Sequence, residues 1–144
     1  MKHFIILLSF FSLNFSAFAG PIVISGGGNP AAILCKKLGG LNKTVQVSNG
    51  QLGLCSFGEA QISAWTLFHA VKNGKNMQAV STLLGNSAPD CEHFGGNIEI
   101  GILTGTNTEV SLCQFPDGSH IGLKTLQSGP QAPANQRLIE ALNL

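Results

Sequence analysis

The stretch Leu34–Gly40, LCKKLGG, recurs in outline as Asp90–Gly96, DCEHFGG. Each has a cysteine, two variable residues, Leu or Phe, and a double glycine. A second cysteine follows in an L-C-x-F tetrapeptide: LCSF at 54–57, twenty residues after Cys35, and LCQF at 112–115, twenty-two after Cys91. A marker that repeats together with its next landmark points to a duplicated unit of about fifty residues. The expected organisation is a first unit over 20–75, a linker helix over 76–87, and a diverged second unit over 88–144 that ends in a helix.

All four cysteines fall in these units, and an even count in an exported chain reads as two disulfides. The repeat assigns one bridge to each unit, Cys35–Cys55 and Cys91–Cys113. Pairing across the units would require the copies to exchange partners. Zinc is the other use of four cysteines, but its sites usually contain close C-x-x-C pairs, and this chain has none.

Local signals fill in the unit. Asn29 suits a helix N-cap and Pro30 the first helical position. Ala31, Leu34, Cys35 and Leu38 then form one helical stripe, which Gly39 can stop. In KTVQVSNGQLGLCSF, a turn at Asn49-Gly50 pairs Val47 with Leu52 and Val45 with Leu54 on one face, leaving Cys55 on the other. In NIEIGILTGTNTEVSLCQF, a three-residue loop at 104–106 pairs Ile102 with Thr108, Ile100 with Val110 and Ile98 with Leu112. Ser63 can cap a helix carrying Trp65 and Phe68, with Ile62 stapled against Leu67. Pro116-Asp117-Gly118 is a turn, and the residues after it read as strand or short helix. Pro89 and Asp90 shorten the first helix of the second unit. A further helix is expected at 76–85, and a terminal one over 133–144 with Leu138, Ala141 and Leu142 inward. The fold class is α+β: duplicated helix–β-hairpin–helix units sharing one small antiparallel sheet with helices on one face.

Ahead of the units, Lys2 and His3 precede an apolar run from Phe4 that closes on Ala17-Phe18-Ala19. This is the pattern of a secretory signal peptide over 1–19, with the exported chain starting at Gly20. That chain has seven Lys or Arg and seven Asp or Glu. With no net charge it has no broad field for nucleic acid or an anionic membrane. No segment after Gly20 is long and apolar enough to span a bilayer as a helix. The expectation is an exported protein, periplasmic or secreted.

NPAAILCKKLGG, GLCSF and AWTLF resemble the haemolysin-labelled family filed as domain of unknown function 333. The matching positions are Asn29, Pro30, Ala31, Cys35, Gly39, Gly40, Cys55, Phe57, Trp65, Leu67 and Phe68. The family's Pro-Asp-Gly is replaced by Gly58-Glu59-Ala60 in the first unit and is present as Pro116-Asp117-Gly118 in the second, which lacks the tryptophan. Ala64 stands where the family has an acidic residue. The resemblance implies a small exported or lipid-anchored bacterial protein and no catalytic residues. A pore former needs long amphipathic helices or hairpins, and this chain has neither.

No catalytic set is expected. His69, His93 and His120 have no motif tying them to a cysteine or spaced as metal ligands. The seven carboxylates form no acid/base pair. SGGGNP, residues 25–30, lacks the phosphate-loop lysine and reads as a tail into a helix cap. No cofactor or metal is expected. Trp65 and Phe68 are the candidate partner-binding residues, against the plainer reading that helical spacing places them in the core. The expected function is non-enzymatic binding of an unidentified protein or cell-envelope partner. The alternative is an inhibitor of extracellular proteases presenting the tip at Asn49-Gly50 or the loop at 104–107.

Overall fold

The computed structural model of the chain describes residues 28–143; the expected signal peptide and its cleavage site lie outside them. Helix α1, Pro30–Lys37, begins as the sequence reads: Asn29 Oδ1 accepts from Ala31 N–H at 2.9 Å, and Ala31, Leu34 and Cys35 are buried. The hairpin of β1, Leu41–Val47, and β2, Gly50–Phe57, leads into β3, Ala60–Ser63, and α2, Ala64–Lys72. Then come α3, Gln78–Gly85, β4, Asn97–Leu103, β5, Glu109–Gln114, β6, His120–Gly122, and α4, Leu123–Ser128. A 3₁₀ turn, Pro133–Asn135, precedes α5, Gln136–Leu142. After Pro89 and Asp90, where a shortened helix is expected, residues 91–95 form only a run of turns.

The α+β class is correct, but the expected open sheet is not what forms. The strands close into an antiparallel barrel in the order β1-β2-β3-β6-β5-β4. The short strands β3 and β6 cause the difference. Each extends its own hairpin by one strand, and they meet at Ile62↔Ile121, while Val45↔Leu103 and Gln46↔Ile102 close the other seam. Closure removes open sheet edges, a stable outcome for strands this short. It also corrects the start of α2: Ile62 is a strand residue, and Ser63 makes no side-chain cap.

The barrel explains why both faces of β2 are apolar. Val45, Leu54, Val110 and Leu112 pack inside it with Val47, Leu52 and Leu103. Cys55, Phe57, Ile62, Cys113, Phe115 and Ile121 face outward beneath the helices, against Cys35, Leu67, Leu83, Leu126 and Leu138. Helices therefore pack around the barrel wall rather than on one face of a flat sheet.

Both hairpin registers differ from expectation, with opposite consequences. In the first, Val47 pairs with Gly50 and Val45 with Leu52, so the turn is Ser48-Asn49. That is a slip of two, which keeps every side chain on its expected face. In the second, Leu103 N–H donates to Thr108 O, and Ile102 pairs with Glu109, Ile100 with Ser111 and Ile98 with Cys113. The loop holds four residues rather than three, and this odd slip turns β4 over. Ile98, Ile100 and Ile102 are 46%, 52% and 37% exposed on the outer wall. Gly101 shows why the inner face cannot take them: a Cβ there would overlap Val45 Cγ1 and approach Gln46 O at 3.1 Å. Strand β1 comes too close for any side chain at that point.

The two glycines of each double-glycine pair have different roles. Gly39 and Gly95 hold φ of +84° and +85°, where a side chain costs about 1–2 kcal/mol. The following glycines serve another purpose. A Cβ at Gly96 would lie 2.5 Å from Cys113 Sγ and 2.8 Å from Cys91 Sγ, and one at Gly40 would meet Cys55 Sγ and Cys35 Sγ in the same way. The chain passes directly over the disulfide. Both expected bridges form, Cys35–Cys55 and Cys91–Cys113, each with Cα atoms 5.7 Å apart, and no described cysteine is free.

The halves are also tied reciprocally. Gln61 N–H donates to Thr125 Oγ1 at 2.9 Å, and His120 N–H donates to Thr66 Oγ1 at 3.0 Å. The Pro-Asp-Gly turn adds a one-sided tie. Met77 provides no cap for α3; instead Asp117 Oδ2 accepts from Gln78 N–H at 2.6 Å, and Ser119 Oγ accepts from Ala79 N–H at 2.9 Å. Burial pushes the Asp117 carboxyl up, but the donors on Gln78 and Ser119 outweigh it and hold the carboxyl below its usual value. Arg137 of α5 donates to Gly39 O at 2.6 Å and sits over the Phe57 ring, fastening the last helix to the turn after α1 and to β2.

Candidate functional site

The two singled-out aromatic residues lie on one side of the barrel, where α1 and α2 pack together. Trp65 is 40% exposed, so its indole is not core despite its helical spacing. Phe68 is half-buried one turn on, edge to face with Trp65 at 5.4 Å between centroids. His69 stacks on the indole at 5.5 Å and is steadied by Asn73 Nδ2, 2.8 Å from its Nδ1. These contacts fix the indole orientation while leaving it open to solvent. Helix α2 can display these rings because Ala64, Thr66 and Leu67 face the barrel instead.

Beside the aromatic cluster runs a groove of about 200 Å³, lined by Pro30, Ile33, Leu34, Lys37, Phe68 and Lys72. Its floor is apolar, and Ile33 is 39% exposed. Lys37 and Lys72 stand in the last turns of α1 and α2, where a cation suits the helix C-terminus. Neither makes an ion pair among the described residues. The sequence reading identified Trp65 and Phe68 but missed Pro30, Ile33, Lys37 and Lys72. The signal was present: Ile33 and Lys37 lie one helical turn apart, off the Leu34–Cys35 stripe.

The described residues of the second half do not repeat the side chains that build this surface. Counted from Thr66 and Thr125, Lys124 stands at the position of Trp65 and Gln127 at that of Phe68, and the turns at 91–95 replace α1. The distinctive surface therefore belongs to the first half alone.

The other candidates are dispersed. His93 is exposed and packs edge to face with Phe94, and His93 N–H donates to Asp90 Oδ1. His120 lies at one mouth of the barrel, with Nε2 3.5 Å from Glu99 Oε2 and Nδ1 2.9 Å from Gly118 O. Glu99 Oε1 accepts from Ser48 Oγ at 3.0 Å. The serine thus reaches the carboxylate and makes no hydrogen bond to the imidazole. Among the described residues no three His, Cys, Asp or Glu side chains gather as metal ligands. Of SGGGNP, residues 25–27 lie outside the described residues, and Asn29 is the cap of α1. The loops at 48–49 and 104–107 are tight hydrogen-bonded turns, Thr106 N–H donating to Leu103 O in the second.

Residues 26–70 match the family described as Domain of unknown function (DUF333). This supports the family assignment read from the cysteine, glycine and tryptophan motifs, and the match includes Trp65, Phe68 and most of the groove. No curated protein and no solved structure matches the chain.

Proposed function

We propose that this is an exported, non-enzymatic binding protein that engages a protein or envelope partner through the α1–α2 surface, and that residues 88–144 are a diverged second copy of the unit, retained to complete the barrel. The observation that carries the reading is the exposed, oriented Trp65 beside an apolar groove. A rigid aromatic with open surface next to a pocket is the usual make-up of an interface anchor. The two disulfides fit a small stabilised protein and are compatible with export. No helix among the described residues is long and apolar enough to cross a membrane. Engagement of all four cysteines removes the chain's strongest potential nucleophiles, which supports a role without chemistry. The repeated double-glycine geometry and reciprocal threonine contacts support duplication.

Trp65→Ser tests the reading. The side chain is exposed, so thermal stability should fall by no more than about 1 kcal/mol. Capture of partners from envelope extracts by the oxidised protein should fall sharply. Equal capture by a folded Trp65→Ser protein would refute the site. The purified protein should also release no haemoglobin from erythrocytes at micromolar levels.

A further inference from the structure

Among the described residues, two surfaces account for most of the large apolar side chains left exposed: Ile33 and Trp65 lie on the α1–α2 surface and Ile98, Ile100 and Ile102 on the outer wall of β4, while Leu41 and Leu84 fall elsewhere. Exposed apolar clusters of this kind mark association surfaces. The two surfaces carry opposite charge. Over residues 28–85 there are five lysines and one acid, Glu59, which faces Lys124; over 86–144 there are six acids against Lys124 and Arg137. The charges balance overall only because the halves cancel.

The charges also sit at the surfaces concerned. Lys37 and Lys72 rim the groove, and neither helix contains an acidic residue. On β4 the isoleucine stripe is bounded by exposed carboxylates. Glu109 pairs with Ile102 and so shares its face, while Asp90 and Glu92 flank Cys91, whose partner Cys113 pairs with Ile98. The groove, at about 200 Å³, exceeds the 150 Å³ or so of a dry cavity that accepts benzene, and so has room for one branched aliphatic side chain. Ile100, the most exposed of the stripe, is such a side chain.

We propose that the protein self-associates head to tail, the acid-rimmed isoleucine stripe of β4 on one copy docking onto the lysine-rimmed α1–α2 groove of another. This rests on the reading of the α1–α2 surface as a binding site and identifies a second copy as an occupant. The contact joins unlike surfaces, so it closes into rings where the rotation between copies allows and otherwise runs as open chains. Charge complementarity sets its register and makes it sensitive to salt.

Sedimentation of the oxidised protein over a wide concentration range, at 50 and 500 mM salt, is the test. Reversible association that weakens with salt is expected. Lys37→Glu/Lys72→Glu and, separately, Ile100→Glu should each weaken it roughly tenfold or more, since each opposes like charges or buries a carboxylate. All these positions are exposed, and circular dichroism should report unchanged folds. A mixture of the two variants should recover a heterodimer that stops at two chains, because each retains one competent surface. A monomeric wild type at millimolar concentration, variants that associate like wild type, or a mixture that stays monomeric would each overturn the proposal. If the wild type stays monomeric while Trp65→Ser still loses partners from extracts, self-association fails and the binding reading stands. If it self-associates but captures nothing else, the groove is a homotypic site and the foreign partner is rejected.

Discussion

Replacing Gly96 with alanine tests the central feature of the fold, the passage of the chain over its own disulfide. The added Cβ would lie 2.5 Å from Cys113 Sγ, 2.8 Å from Cys91 Sγ and 3.0 Å from Cys91 O. None of these atoms is the end of a flexible side chain: two belong to a bridge and the third to a backbone hydrogen-bonded to Gly96 N–H at 2.8 Å. Overpacking of this kind costs about 1–3 kcal/mol, and so little freedom to relax places Gly96→Ala toward the upper end. For a domain of this size that is a fall of roughly 6–15 °C in Tm. The neighbouring glycine provides the control. Gly95 has no close neighbour but holds φ of +85°, so it should accept asparagine, which tolerates that region. Gly96→Asn should be as damaging as Gly96→Ala. Thermal and urea unfolding of the three oxidised variants beside wild type decides the matter. A Gly96→Ala protein within about 0.5 kcal/mol of wild type, or asparagine tolerated equally at both sites, would refute the steric account.

Asp117→Ala should cost about 1–2 kcal/mol near neutral pH, because it uncaps α3. The folded carboxyl lies below its unfolded value, so its stabilisation is present above about pH 3.9 and lost as pH falls through the folded value. Urea melts against pH should show the mutant and wild type converging in acid, and a constant gap would contradict the cap. Digestion without reduction should yield Cys35 joined to Cys55 and Cys91 to Cys113, and removing either bridge by paired Cys→Ser should lower stability by roughly 3 kcal/mol from loop entropy. The orientation of β4 is tested by contrast: Ile100→Thr should change stability by under about 1 kcal/mol, whereas Val110→Ala should cost about 1–3 kcal/mol because it opens the barrel interior. Equal effects would mean the strand faces the other way.

What the sequence by itself determined is local or repeated. Asn29 caps α1 because its side chain needs to reach only two residues along. The bridges could be assigned because the double-glycine marker recurs, and each joins residues within one short loop. Hairpin identity was likewise legible, because alternation and turn residues act over a few positions. The tertiary structure decided what depends on distant partners. Strands β3 and β6 are four and three residues long, too short for a pattern, and are held by Ile62 meeting Ile121 across the barrel. The face of β4 turned on one residue of loop length and on the closeness of β1 to Gly101, neither of which hydrophobic alternation encodes. The cap of α3 comes from Asp117, thirty-nine residues away. Trp65 was legible as a candidate but not as exposed. A helix carries its spacing in its own sequence, whereas the side it turns to solvent is chosen by the barrel that packs against it.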